Sequence, residues 1–329
     1  MQKMLIEFSM IGCQKRFIVV YMVLLLAFGL SSDLCRAQSA SNLKFESESL
    51  SWSRLSFKAD SLFGQVTTEV RLAALPSTDA ADQLIAVPQA AVLQPSGATV
   101  ISTTVDSNIN PLFGSNEILK TQSWSNSDDA AALQLVRLRQ GGKIWQKSYR
   151  FEPSGVYHQR KKPADKKQLE LPPEQWSTFE KKFYRYDSKK LGCPVVLEPN
   201  GLLYLVSALD YEKLTSPLIL CVFNKKQLHL VKVSFGGLQS LKVNYLEKQG
   251  ENKSQVLKDV DTIKISFHPR SLAPTNIETE EFSFLGLKGD FDIFIDKTSR
   301  IPVLVRGKIT EFGKMEILLQ QVLLSSENK

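Results

Sequence analysis

The sequence predicts a mainly β protein, built on a large antiparallel sheet with a few short helices. Apolar and polar residues nearly alternate in stretches such as residues 133–139, the pattern of a strand with one face on a core. Turn-forming residues, such as Gly141-Gly142 and Pro153-Ser154-Gly155, separate successive strand-like runs. Helical patterns rarely intervene, which favours an antiparallel meander over alternating strands and helices.

The chain begins with the features of an export signal. Lys15 and Arg16 precede an apolar run over residues 17–30, and the small-residue cleavage site Cys35-Arg36-Ala37 follows. The run is shorter than the ~20 residues that cross a bilayer core, so a cleaved signal is favoured over a retained anchor. We therefore expect an exported protein of the periplasm or the outer-membrane periphery.

Cleavage after Ala37 makes Gln38 the first residue of the mature chain. The alternative is a lipoprotein acylated at Cys35, but Asp33 and Leu34 are not the small residues that such a site requires. No later stretch is long and apolar enough to span a bilayer, so we expect no transmembrane span in the mature chain.

Charge and cysteine content agree with export. The chain has 41 basic and 34 acidic residues, a formal net charge of +7 that does not argue for nucleic acid as a partner. Beyond the signal, Cys193 and Cys221 remain. They either form a disulfide, as paired cysteines do in oxidising compartments, or Cys221 is a small buried apolar residue.

The mature chain divides into two predicted regions. Residues 38–115 form an N-terminal extension that contains a hairpin (residues 55–72) and an irregular segment from residue 73, with one or two helical turns at residues 80–86. Residues 116–329 form the antiparallel β domain, with a short buried helix at residues 202–209 and a turn at Gly236-Gly237. Its predicted strands are residues 118–124, 131–139, 144–151, 156–161, 217–223, 227–235, 241–246, 254–267, 281–287, 291–295, 301–309 and 315–324.

Two segments between these strands are candidate binding elements. Trp176, Phe179 and Phe183 have the spacing of one helix face, and with Tyr184 they are the candidates for a hydrophobic groove on an amphipathic helix packed against the concave side of the sheet. Residues 158–167 hold five basic residues. They either contact anionic lipid head groups or form a solvated loop around Pro163.

The sequence lacks the patterns of known catalytic and metal sites. His158, His229 and His268 stand far apart, and no phosphate-binding loop or nucleophile elbow occurs. Asp290, Asp292 and Asp296 flank strand-like residues, which is unlike a calcium loop. We expect no enzymatic activity, no metal and no cofactor.

The C-terminal part resembles an exported bacterial family, domain of unknown function 3108. The resemblance rests on residues 204–210 (YLVSALD), residues 291–296 (FDIFID), and residues 299–303 (SRIPV) followed by Gly307 and residues 312–317 (FGKMEI). It covers about residues 116–326 and is clearest from residue 200 onward. Phe291 or Phe294 stands where the family commonly has tryptophan.

The resemblance implies a protein of the Gram-negative cell envelope with a curved, half-barrel-like sheet, similar to the sheets of periplasmic lipid and lipoprotein carriers. We therefore expect a non-catalytic protein that binds a hydrophobic ligand (a lipid or acyl chain) or another envelope protein. Two alternatives remain open. One is a purely structural or interaction protein whose core is filled, and the other is a hydrolase whose site the sequence does not display.

Overall fold

Strands dominate the part of the chain that the structure describes. The computed structural model describes residues 38–39, 45, 50–61, 64–87, 91–188, 190–211, 217–272, 280–309 and 313–325. The predicted export signal and Ala37 lie outside these residues, as does Phe312 of the family resemblance.

The described residues contain seventeen strands and three short α-helices. The helices are α1 Ser77–Gln83, α2 Lys166–Leu169 and α3 Gly201–Ala208, and a 3-10 turn covers Pro173–Gln175. The strands are β1 Gln38–Ser39, β2 Trp52–Ser61, β3 Gly64–Pro76, β4 Thr99–Pro111, β5 Glu117–Asn126, β6 Ala132–Gln140, β7 Trp145–Glu152, β8 Gly155–Lys162, β9 Thr178–Arg185, β10 Val196–Leu197, β11 Leu218–Asn224, β12 Gln227–Gln249, β13 Asn252–Ser271, β14 Ser283–Phe284, β15 Leu287–Asp296, β16 Pro302–Ile309 and β17 Gly313–Leu324. The predicted mainly β fold class is confirmed.

All seventeen strands belong to a single sheet. Strands β2 to β9 form an antiparallel meander in which each strand pairs with the next. This meander crosses the predicted boundary at residue 115, because β4 pairs with β5. The sheet is mixed, since β1 and β10 pair parallel with β11, and β12 pairs parallel with β17.

Strand β17 closes part of the sheet into a ring. Leu318 pairs with Leu304 of β16 on one edge and with Lys58 of β2 on the other. At residues 321–323 the strand still pairs with β2, but its other edge now accepts residues 246–248 of β12. Strands β12, β13, β15, β16 and β17 are therefore hydrogen-bonded in a ring, from which the meander extends.

Helix α3 fills part of the interior of this curved sheet. All eight of its residues are buried, as expected for a helix that is apolar around its circumference. The Tyr204 hydroxyl donates to the carbonyl oxygen of Ser127 at 2.7 Å, and Trp52 Nε1 donates to the Ser207 hydroxyl at 3.1 Å. These bonds fix the helix to the sheet and satisfy its polar groups.

The segment between α1 and β4 covers the outer face of β6 and β7. The Arg150 guanidinium donates to the carbonyl oxygens of Ile85, Leu93 and Leu133 at 2.6 to 3.1 Å. The side-chain amide of Gln134 accepts from Ile85 N and donates to the carbonyl of Gln83. The predicted irregular segment is therefore held by buried polar side chains, and β4 follows it.

The helix predicted around Trp176 is wrong. Trp176 follows the 3-10 turn, and the next residues form β9, which pairs with β8 at the edge of the sheet rather than packing on its concave side. Phe179 and Phe183 are four residues apart, a spacing that fits one face of a strand as well as one face of a helix. Pro172 and Pro173 just before them disfavour a continuous helix.

Two further predictions of loops are corrected. Gly236-Gly237 is not a turn, because β12 runs through it for 23 residues with a register irregularity between Phe235 and Leu238. Glycine often marks such bulges within strands. The basic segment is not a single loop either, since it belongs to β8 as far as Lys162.

Candidate functional site

A cavity of about 310 Å³ lies inside the curved sheet. Its volume falls within the range of small-molecule sites, ~300–1,000 Å³. Strands β2 to β7, β11, β16 and β17 form its wall, together with the segment before α3 and the turn after β14. Eleven of its twenty-two lining residues have aliphatic, thioether or phenyl side chains: Ala59, Val66, Val105, Ile109, Leu119, Leu135, Phe223, Leu285, Ile309, Met315 and Ile317.

The strand register places part of the cavity wall next to the buried core. Leu55, Val70 and Val105 stand opposite one another on β2, β3 and β4 and are almost fully buried in the core that contains α3. Further along the same inward face, Ala59 is opposite Val66 on β3. Ala59, Val66 and Val105 all line the cavity, so its wall continues from the buried core along the same face of these strands.

Glu198 supplies a buried polar group at the helix end of the cavity. Its carboxylate accepts from the backbone N–H groups of Asn200 at 2.9 Å and Gly201 at 2.6 Å. Burial raises the pKa of Glu198 to about 7, although these bonds, the Ser123 hydroxyl and the charge of Arg137 all act in the opposite direction. Below that pH the carboxyl group is mostly neutral, so the helix end of the cavity carries little negative charge.

Aromatic side chains form the wall between the meander and β11. Tyr149 and Phe223 both line the cavity, with ring centroids 6.2 Å apart. Burial raises the pKa of Tyr149 to about 12, so its hydroxyl is neutral at physiological pH. Tyr184 packs behind Phe223 at 5.9 Å, outside the lining.

The four predicted groove residues are not assembled into a groove. Trp176 is buried and its indole N–H donates to the carbonyl of Leu171 at 3.1 Å. Phe179 is 59% exposed, and Phe183 packs on Tyr157. The pleat of β9 places Phe183 and Tyr184 on opposite faces of the sheet. None of the four lines the cavity.

Cys193 and Cys221 are joined in a disulfide, with their Cα atoms 5.7 Å apart. The bond links β11 to the segment that leads into β10 and then to Glu198. It therefore holds the polar end of the cavity against the strand that carries Phe223. Of the two alternatives for these cysteines, the structure supports the disulfide.

The described ranges contain neither a cluster of metal ligands nor a membrane-spanning helix. Within them, no group of three or more His, Cys, Asp or Glu side chains is arranged to hold a metal ion. No helix in the described part of the chain is long and apolar enough to cross a membrane.

Comparison with known proteins gives a distant likeness to a solved structure. No family model matches the chain, and no curated protein matches it. A solved structure with similarity is the β-barrel-like protein of domain of unknown function DUF1849 from Brucella abortus, at 8% identity and a TM-score of 0.44. The match covers 83% of this chain and 97% of that one. The resemblance to domain of unknown function 3108 stays a prediction.

Proposed function

We propose that this protein is a non-catalytic binding protein of the cell envelope that holds the apolar chain of a ligand, such as an acyl chain, in the cavity. The observation that carries the proposal is the cavity of about 310 Å³ with its mostly apolar wall. An apolar cavity that a folded protein retains instead of collapsing is the default site for an apolar ligand. Membership of the domain of unknown function 3108 family is part of the same proposal.

Export of the chain is supported by its first 37 residues and by the disulfide. Structural disulfides persist in oxidising compartments such as the periplasm, and Cys193–Cys221 is of this kind. We expect N-terminal sequencing of protein recovered from the periplasm to start at Gln38. An acylated Cys35 at the N-terminus would contradict this and place the protein on a membrane.

Ligand binding is tested on two neighbouring residues of β5. Leu119 lines the cavity, whereas Ile118 is 36% exposed on the opposite face of the strand. In a titration with a fluorescent fatty acid followed by polarisation, we expect saturable binding by the wild type. Leu119→Trp places a large side chain in the cavity and should weaken binding by about tenfold or more.

The matched control is Ile118→Trp, which adds the same side chain on the outer face and should bind like the wild type. Thermal unfolding of both variants verifies that they are folded. Absence of saturable binding by the wild type overturns the proposed function. Equal loss of binding in both variants excludes the cavity as the site.

The alternative of an interaction protein with a filled core has weaker support. In that alternative, Trp176 and the aromatic residues near it would fill the concave face of the sheet. These residues lie at β9 instead, and α3 occupies the interior while leaving the cavity open.

A further inference from the structure

Three basic residues stand in a row on the cavity face of neighbouring strands. Arg137 of β6 is directly opposite Lys147 of β7, and Lys147 is directly opposite Arg160 of β8. Each side chain is half-buried. Arg137 itself lines the cavity, so the row begins at the cavity wall and leads away from it.

Such a row costs stability, which the carboxyl groups of Glu198, Glu280 and Glu180 offset only from beyond ion-pair distance. Like charges directly opposite each other on neighbouring strands repel. Burial and the charges of Arg137 and Arg160 together lower the pKa of Lys147 to about 8, although the charge of Glu280 acts in the opposite direction. Lys147 Nζ lies 4.6 Å from the ring centroid of Trp145, and Arg137 Cζ lies 6.0 Å from it, contacts that offset part of the cost.

Several other arginines of the sheet have carboxylate partners. Arg139, two residues beyond Arg137 on the same face, pairs with Glu117 at 2.5 Å, and Arg306 pairs with Glu316 at 2.7 Å. Among the described residues, no carboxylate lies within ion-pair distance of Arg137, Lys147 or Arg160.

Two further observations show that polar groups in this row lack hydrogen-bond or ion-pair partners. The Nε atom of Arg160, like those of Arg54 and Arg139, is buried without a hydrogen-bond partner in the described part of the chain. Glu180 stands opposite Arg160 on β9, but its carboxylate contacts Lys182 at 2.5 Å instead.

His158 lies two residues from Arg160 on the same face of β8, opposite Tyr149 of the cavity wall. It is 6% exposed, lies between the rings of Tyr149 and Tyr184, and has neither ring nitrogen hydrogen-bonded within the described ranges. Burial lowers the pKa of His158 to about 4, so the ring is neutral and offers one N–H donor. A buried polar side chain without a partner needs an explanation, and a ligand head group supplies one.

We propose that Arg137, Lys147 and Arg160 bind the anionic head group of an amphiphile whose single apolar chain occupies the cavity. This inference rests on the proposed function and specifies its ligand class. Guanidinium groups match carboxylate and phosphate geometry through paired N–H donors, and the ammonium group of Lys147 adds a third charge. Binding of the anion relieves the repulsion along the row.

The test compares three ligands of equal chain length: dodecanoate, dodecyl phosphate and dodecanol. Each displaces a neutral naphthylamine probe from the wild-type protein at low salt. We expect at least one of the two anions to bind about tenfold more tightly than the alcohol. The stronger anion then identifies the head group as a carboxylate or a phosphate.

The double variant Lys147→Gln, Arg160→Gln should remove this preference, with dodecanol binding unchanged. The matched control is Lys161→Gln, Lys181→Gln, which removes the same charge from the opposite face of β8 and β9 and should keep the preference. Equal affinity of the wild type for the alcohol and both anions overturns the head-group site but leaves the apolar cavity as a binding site. Failure of all three ligands to displace the probe overturns the proposed function as well.

Discussion

At the scale of single residues, burial determines the charge of Glu198. The side chain is 1% exposed, and two backbone N–H groups hold its carboxylate beside α3. Loss of hydration outweighs these bonds, so its pKa rises from 4.5 to about 7. The folded protein therefore binds this proton more tightly than the unfolded chain does, and the residue stabilises the fold relative to the unfolded chain only while it stays protonated.

We predict a pH dependence of stability that Glu198→Gln removes. Because the folded-state pKa is raised, the contribution is fully present below pH 4.5 and is lost as the pH rises through 7. The shift corresponds to about 3 kcal/mol of unfolding free energy. Urea unfolding of both proteins at pH 4 and pH 8 measures the difference, and all other titrating groups are common to both. The same pH dependence in wild type and variant would contradict the raised pKa.

Local patterns predict many elements of this chain because each strand has one face on the core. The predicted strand at residues 118–124 lies within β5, and that at residues 156–161 lies within β8. The predicted helix at residues 202–209 agrees with α3 to within one residue at each end, because eight consecutive buried positions produce a long apolar run. Predictions of secondary structure fail where one spacing of apolar residues fits two kinds of element. The spacing of Phe179 and Phe183 suits a helix face or a strand face, and the edge of β8 decides between them.

The cavity site was harder to predict than the elements that build it. The alternation in residues 133–139 already places Leu135 and Arg137 on one face, and both line the cavity. Their meeting with Glu198 depends on contacts between segments some 60 residues apart, which no local pattern encodes. The sequence pattern therefore favours the aromatic cluster around Trp176 as a site, whereas the lining of the cavity is spread over many strands.

On the scale of the whole molecule, β17 connects the two ends of the chain. It pairs with β16, β12 and β2, so it links the C-terminal ring to the N-terminal meander. The pairing of three different strands with β17 is a long-range feature that local sequence patterns do not predict. Two of the strand's inward side chains, Met315 and Ile317, also line the cavity. The wall of the cavity thus depends on the last strand.

We predict that a chain ending at residue 312 does not fold cooperatively. Met315, Ile317, Leu319 and Val322 of β17 are all less than 10% exposed. At ~1.5–3 kcal/mol for each buried side chain, their loss is comparable to the ~5–15 kcal/mol that stabilises a typical domain. Thermal unfolding followed by near-ultraviolet circular dichroism should show no sharp transition. A chain ending at Ser325 keeps β17 and is the control, which should unfold like the full-length protein. A cooperative transition in the shorter chain would mean that the ring and the meander are stable without the strand that joins them.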